Sequence, residues 1–239
     1  MNTNVASRTN PALATNPKKS GPLYVPQDRK LMLAYVIGAV GVVILLLGAV
    51  LLYNHRSAVA NQALSDAMRT FQTPVVQPGQ PVPAGERSFP SSEDRARAAN
   101  TEFAAVANHY GMTPAGRNAL YLQGVTAMQI GQTSTAEELL KKSASSWNSD
   151  VASMAKLALA NLYHGSNRDA QAIEIYQKLT AKPTTAVPAG LAQLQLADLY
   201  NSEGKKDQAR KIYAQIKDKD PKSAAAEIAT QDLGEAPAR

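Results

Sequence analysis

The sequence predicts an all-α protein: a single N-terminal transmembrane helix followed by a short α-solenoid of helical hairpins. Three observations predict it. Residues 31–53 form an apolar run, and residues 91–234 carry helix start and stop signals at regular intervals. The composition is rich in alanine and only 5% aromatic, which favours helices packed through small side chains over sheets.

The apolar run extends from Leu31 to Tyr53 over 23 residues without a charged side chain. A helix of that length spans about 34 Å, enough for a hydrocarbon core of about 30 Å. Residues 1–30 carry a net charge of +4, whereas residues 54–239 hold 20 basic and 18 acidic side chains. The positive-inside rule therefore predicts a cytoplasmic N-terminus and a C-terminal domain on the outer side, which in a bacterium means the inner membrane and the periplasm.

A cleaved signal peptide is the alternative to an anchor. Residues 58–60 read Ala-Val-Ala and resemble a signal-peptidase site. Secretory apolar regions run to only about 7–15 residues, however, and this run is longer and follows a long tail. The length favours an uncleaved membrane helix.

Small residues form a stripe on one face of the predicted membrane helix, at Ala34, Gly38, Gly41 and Gly48. Such stripes let two membrane helices approach closely, so a homo-oligomer is one interpretation. The favoured interpretation is that glycine and alanine are common in membrane helices, since no strict GxxxG motif is present.

The remaining segments are assigned from their composition and from the positions of proline, glycine and helix-capping residues. We expect a disordered basic cytoplasmic tail over residues 1–30, a juxtamembrane helix over 54–72, a proline-rich linker over 73–90, a repeat domain over 91–234 and a disordered C-terminus over 235–239. Helix starts are predicted at the capping-box spacing Ser134 to Glu137, at Thr113-Pro114 and at Asp220-Pro221, and turns at Gly131 and Gly204.

The repeat is clearest over residues 193–221, where the defining positions are Leu196, Ala197, Tyr200, Gly204, Ala209, Tyr213 and Pro221. The preceding unit matches at Leu159, Ala160, Tyr163, Ala172 and Tyr176, with Asn167 at the turn glycine. An earlier unit matches at Leu120, Gly124, Gly131 and Ala136, with Ala127 and Leu140 replacing the aromatic residues. Ala99 and Phe103 are interpreted as part of a degenerate first unit whose other helix is the juxtamembrane helix.

In order and spacing, these positions resemble the tetratricopeptide repeat superfamily over about 140 residues. The basic tail, single membrane helix and small outer repeat domain are similar in arrangement to the bacterial ancillary SecYEG translocon subunit family. That resemblance implies an accessory role in secretion, chaperone action or envelope assembly.

The resemblance also implies a concave groove lined by the first helix of each hairpin. The groove positions are Asn118, Tyr121, Val125, Met128, Met154, Leu157, Asn161, His164, Leu191, Leu194, Asp198 and Asn201. They include no Lys or Arg, so the lysines with which carboxylate-clamp members of the superfamily hold an acidic C-terminus are missing. We expect the groove to bind an apolar or amphipathic segment of an envelope or secretory protein.

Enzymatic and nucleic-acid-binding functions find little support in the sequence. There is no phosphate loop, nucleophile elbow or HExxH helix, His55, His109 and His164 stand alone, and there is no cysteine. We therefore predict no catalysis, no metal and no cofactor. Basic residues are not clustered within the predicted domain, which argues against nucleic acid. A protein-interaction module is favoured, with a self-assembling scaffold as the alternative.

Overall fold

The computed structural model describes residues 28–76 and 87–234, and its helices confirm the predicted all-α class. The helices of the described residues are α1 (Arg29–Gln72), α2 (Ser92–Tyr110), α3 (Pro114–Gln129), α4 (Thr133–Ala144), α5 (Ser149–Gly165), α6 (Asp169–Ala181), α7 (Ala189–Ser202), α8 (Lys206–Lys219) and α9 (Ala224–Asp232). Most of the predicted tail, the centre of the predicted linker and the C-terminal residues 235–239 lie outside the described residues.

Helix α1 runs through both the predicted anchor and the predicted juxtamembrane segment as one helix of 44 residues. The chain divides within it into two compact units, Met1–Val50 and Leu51–Arg239. The described part of the first unit, residues 28–50, contains most of the apolar run, whose large side chains are exposed all round the helix. By length and composition, α1 is the one helix of the described residues that could cross a membrane.

The second unit contains the repeats as hairpins α3–α4, α5–α6 and α7–α8. Each helix of the three hairpins carries a fully buried alanine. In chain order these are Ala127, Ala136, Ala160, Ala172, Ala197 and Ala209. A methyl side chain at a crossing lets two helix axes approach closely, which explains the alanine-rich composition. Tyr176 and Tyr213, on the second helices of their hairpins, are buried beside them.

The end of α1 packs on α2 in the same way. Ala67, Phe103 and Val106 belong to one buried cluster, and the rings of Phe71 and Phe103 meet edge to face at 6.0 Å. Two backbone hydrogen bonds then hold the ends of the predicted linker together, from Val76 N to Phe89 O and from Phe89 N to Pro74 O, both at 3.0 Å.

The local turn signals have mixed outcomes. Gly131, Asn167 and Gly204 have positive φ angles of 72°, 57° and 76°, as the turn predictions require. Thr113 caps α3 by accepting a hydrogen bond from Gly116 N at 3.1 Å, and Pro114 is the first helical residue. This start is confirmed.

Helix α4 begins at Thr133, one residue before the predicted Ser134, but the capping box itself does not form. No side chain caps this helix start, and the Glu137 carboxylate binds Arg168 of the next hairpin instead. The predicted start at Asp220-Pro221 is wrong. Helix α9 begins after Ser223, whose hydroxyl accepts from Ala226 N at 3.2 Å, while Asp220 ends α8.

Candidate functional site

The twelve predicted groove residues lie on α3, α5 and α7, the first helices of the three hairpins. Four of them are exposed: Asn161 on α5 and Leu191, Asp198 and Asn201 on α7. These four define an open face, called here the amide face, that is mainly polar and lies toward the C-terminal end of the repeats.

The other predicted groove residues are at least half-buried. Tyr121, Val125 and Met128 pack against the main core cluster, and burial raises the pKa of the Tyr121 phenol. Met154 and Leu157 pack against the cluster of Leu179, Val187 and Ala192, and Leu194 is only 6% exposed. Asn118 and His164 are half-buried, and His164 Nδ1 lies 2.6 Å from Asp169 Oδ1. Much of the predicted apolar lining therefore stabilises the fold.

Buried tyrosines support the polar residues of the amide face from below. Tyr176 donates its hydroxyl hydrogen to Asn161 Oδ1 at 2.5 Å. In the next hairpin, 37 positions on, Tyr213 donates to Asp198 Oδ1 at 2.9 Å and accepts from Asn201 Nδ2 at 3.1 Å. The repeat thus places the same tyrosine-to-acceptor hydrogen bond on α5 and α7.

These tyrosines remain protonated over the physiological pH range. Burial, together with the Asp198 and Asp169 carboxylates, raises the pKa of Tyr176 to about 12. Burial and the hydrogen bond to Asp198 raise the pKa of Tyr213 further. Since each phenol uses one oxygen of its acceptor, the Asn161 amide nitrogen and the second Asp198 carboxylate oxygen are available to a ligand.

The first hairpin replaces this polar pair by an apolar one. Val125 and Leu140 occupy the positions equivalent to Asn161 and Tyr176, and Leu140 is fully buried. The predicted groove therefore changes along the repeats, from apolar at α3 to amide and carboxylate groups at α7. Such a gradient suits an amphipathic ligand rather than a uniformly apolar one.

Glu137 joins two hairpins, a role that the sequence did not reveal. Its carboxylate accepts from Arg168 Nη1 and Nη2 at 2.6 and 3.0 Å and from the Tyr163 hydroxyl at 3.1 Å. Lys141 Nζ lies 2.7 Å away. The hydrogen bonds from Arg168 and Lys141 lower the pKa of Glu137 to about 2. A weak signal was present: a cation follows the turn residue in both later repeats, and Arg168 and Lys205 lie over Tyr163 and Tyr200.

A second concave feature lies on the opposite face of α5 and was not predicted. It is an open groove of about 1550 Å³ between α5, the end of α6 and the loops that precede α5 and α7. Its lining includes Ala152, Lys156 and Leu159 of α5, together with Trp147 and Lys182. The amide face and this open groove are separate surfaces of the same hairpin.

The predicted stripe of Ala34, Gly38, Gly41 and Gly48 lies on α1. A Cβ atom added at any of the three glycines would meet nothing within 4 Å. The self-association of this face stays a prediction.

Stacked helical hairpins with open polar and apolar surfaces define the class of α-solenoid repeat proteins, which typically bind other proteins. A family model described as a tetratricopeptide repeat-like domain matches residues 33–235, beginning inside the apolar run. The chain therefore belongs to the tetratricopeptide repeat-like domain family. No curated protein matches it.

Proposed function

We propose that this chain is a membrane-anchored tetratricopeptide-repeat protein that binds protein partners on the outer, periplasmic side of a bacterial inner membrane. Its role is that of an accessory factor in secretion, chaperone action or envelope assembly. The family match supports protein–protein interaction in general. The length of α1 and the basic residues before it support the anchor and its orientation.

The amide face is the observation that carries this proposal. The buried tyrosines fix Asn161 and Asp198 in place, so their remaining polar groups are oriented before a ligand arrives. Pre-ordered groups lose little side-chain entropy on binding. Leu191 adds an exposed apolar contact at one end of the face. Together they fit an amphipathic segment of an envelope or secretory protein.

Site-specific photo-crosslinking in the native bacterium tests this proposal. A photoreactive amino acid at position 161 or 191 should capture a discrete set of envelope or secretory proteins. Two matched positions serve as controls. Lys156 lies on the opposite face of α5, in the open groove, and Gln177 is exposed on α6.

The outcomes separate the two surfaces. Crosslinks from positions 161 and 191, absent at 156 and 177, would support the amide face. Crosslinks confined to position 156 would move the binding site to the open groove, and none from a folded protein would contradict an interaction module. A topology reporter fused after Arg239 tests the compartment, and activity of a cytoplasmic reporter there would contradict the orientation.

A further inference from the structure

Two large apolar side chains are unusually exposed on the repeat domain. Met112, between α2 and α3, is 87% exposed, and Trp147, between α4 and α5, is 78% exposed. Among the described residues outside the apolar run, no other large apolar side chain is exposed to a comparable extent. Tryptophan is enriched at protein interfaces and at membrane surfaces, because its ring is apolar and its N–H is polar.

Arg117, near the start of α3, connects the ring of Trp147 with the backbone at Met112. Its guanidinium carbon lies 4.3 Å from the centre of the Trp147 ring, and its Nη1 donates to the Met112 carbonyl at 3.0 Å. Met112, Arg117 and Trp147 are called here the loop patch. An arginine on α3 thus links the two loops that carry the exposed Met112 and Trp147 side chains.

The loop patch lies at the end of the second unit that carries the last residues of the apolar run. That unit begins with Leu51, Leu52 and Tyr53 of α1, which are exposed. Arg56 follows three residues later, about 4.5 Å along the helix axis. Its Nη2 donates to the His109 carbonyl at 2.6 Å, and its guanidinium lies 6.0 Å from the Tyr110 ring centre. Met112 is only three residues beyond His109.

The connection between α2 and α3 holds the patch firmly there. Thr113 is buried, donates to Tyr110 O at 2.7 Å and caps α3. The backbone of Gly116 approaches Tyr110 so closely that an added Cβ would lie 2.0 Å from its carbonyl oxygen. The loop therefore has little freedom to move Met112 away from the end of the apolar run.

The chemistry of the loop patch fits the interfacial region of a bilayer. Tryptophan is enriched at membrane interfaces, where its ring is apolar and its N–H remains hydrated. Arg56 lies beside the connection that carries Met112, and Lys156 and Lys182 line the open groove beside Trp147. The Asp150 carboxylate in that groove already accepts a hydrogen bond from Ala186 N at 3.3 Å. The excess of cations favours anionic lipid headgroups.

We propose that the loop patch rests in the headgroup region of the bilayer that holds α1, and so fixes the orientation of the repeat domain over the membrane. This inference rests on the proposed membrane anchor. In this proposal, a lipid surface that contains anionic phospholipid covers the loop patch. A protein segment covering the same residues is the competing outcome of the test.

Trp147 is the only tryptophan of the chain, so its fluorescence reports on the patch alone. The full-length protein is reconstituted into vesicles of phosphatidylcholine and phosphatidylglycerol, with or without bromine on the acyl chains near the headgroups. We expect brominated lipid to reduce Trp147 emission about twofold, and aqueous iodide to quench it less than in a hydrated site.

Two variants sharpen the measurement. Trp147→Phe combined with Ala170→Trp moves the indole to the exposed start of α6, beyond the far end of the 17-residue helix α5. Bromine should leave that emission unchanged. Met112→Asp keeps Trp147 as the reporter but adds a charge to the patch. In brominated vesicles it should restore most of the Trp147 emission that bromine quenches in the unaltered protein, without changing the melting temperature.

The outcomes separate the patch from the anchor. Retention of the chain after an alkaline carbonate wash, with Trp147 unaffected by bromine and open to iodide, would overturn the patch and leave the anchor standing. Loss of the chain in the wash would contradict the anchor itself. Protection of Trp147 from iodide without bromine quenching would show protein over the patch and would also overturn the inference.

Discussion

Tyr176 and Tyr213 fill the space between helices and also carry a hydroxyl to the amide face. The ring is a buried apolar group, and its removal leaves a cavity. The hydroxyl orients Asn161 in one repeat and Asp198 in the next. One residue type therefore links the stability of each hairpin to the chemistry of its surface.

Tyr213→Phe should lower the free energy of unfolding by about 1 kcal/mol, because it removes two hydrogen bonds while keeping the ring. Tyr213→Ala should cost about 3–5 kcal/mol, because it also opens a cavity. Denaturant unfolding measures both. Tyr200→Phe is the matched control, since Tyr200 is half-buried and its ring contacts Lys205. A loss at Tyr200 equal to that at Tyr213 would contradict the role of the hydroxyl.

The lowered pKa of Glu137 should make the stability of the repeat domain depend on pH. Its pKa of about 2 lies below its ordinary value of 4.5, so its contribution to stability is complete above about pH 4.5 and is lost as the pH falls toward 2. Glu137→Gln should lower stability by about 1–3 kcal/mol at pH 7 and change little near pH 2.

Unfolding by denaturant at several pH values measures this difference. Glu174→Gln is the control, because Glu174 pairs with Lys178 on an exposed surface, where solvent screens the ion pair, and should have a much smaller effect. An equal effect of the two substitutions at pH 7 would contradict the joining role of Glu137.

For single residues, the sequence predicts those features that depend only on neighbouring positions in the chain. Asn167 and Gly204 were identified as turn residues because a positive φ restricts the choice of residue at one position. Glu137 was interpreted as a helix-start charge, since its partner Arg168 lies 31 positions away. Similarly, Met154 and Leu157 have the right spacing for a groove, but spacing alone does not show that the loop before α7 packs Val187 against them.

Among the elements, α2 and α3 have the tightest junction, because Gly116 lets their backbones touch. Gly116→Ala should therefore lower stability by about 3 kcal/mol or more, since its Cβ would lie 2.0 Å from Tyr110 O and backbone cannot yield as a side chain can. Gly165→Ala is the matched control, because Gly165 ends α5 with nothing near its Cβ position and should be neutral or slightly stabilising. Thermal unfolding compares the two, and similar melting temperatures would contradict the close approach.

The elements were more predictable than their ends. Apolar periodicity and turn residues located the hairpins, but the capping box of α4 does not form, and α9 is capped by Ser223 instead of Asp220. Several side chains near a helix start can serve as the cap, and tertiary contacts decide which of them does. The continuity of α1 across the predicted anchor and juxtamembrane segment follows from the absence of glycine or proline between residues 49 and 72.

The repeat domain as a whole has several hydrophobic clusters arranged along the chain instead of one central core. The main cluster includes residues from α3 to α7, and the last cluster joins α7, α8 and α9 through Ala197, Tyr213 and Ala229. Half-buried Tyr200 and Ile212 pack against both clusters. In such a stack each hairpin is stabilised by its neighbours, and the terminal elements have a neighbour on one side only.

Ile216→Ala should consequently loosen the end of the domain without unfolding its centre. The substitution removes a buried side chain from the last cluster, at a cost of about 2–5 kcal/mol. We expect faster amide hydrogen exchange in α8 and α9, with α3 and α4 unchanged, because local opening of a terminal hairpin leaves the other interfaces intact. Leu159→Ala in the main cluster should instead accelerate exchange from α3 through α7. Hydrogen exchange read by mass spectrometry distinguishes the two patterns, and uniform acceleration in both variants would show that the domain unfolds as one cooperative unit.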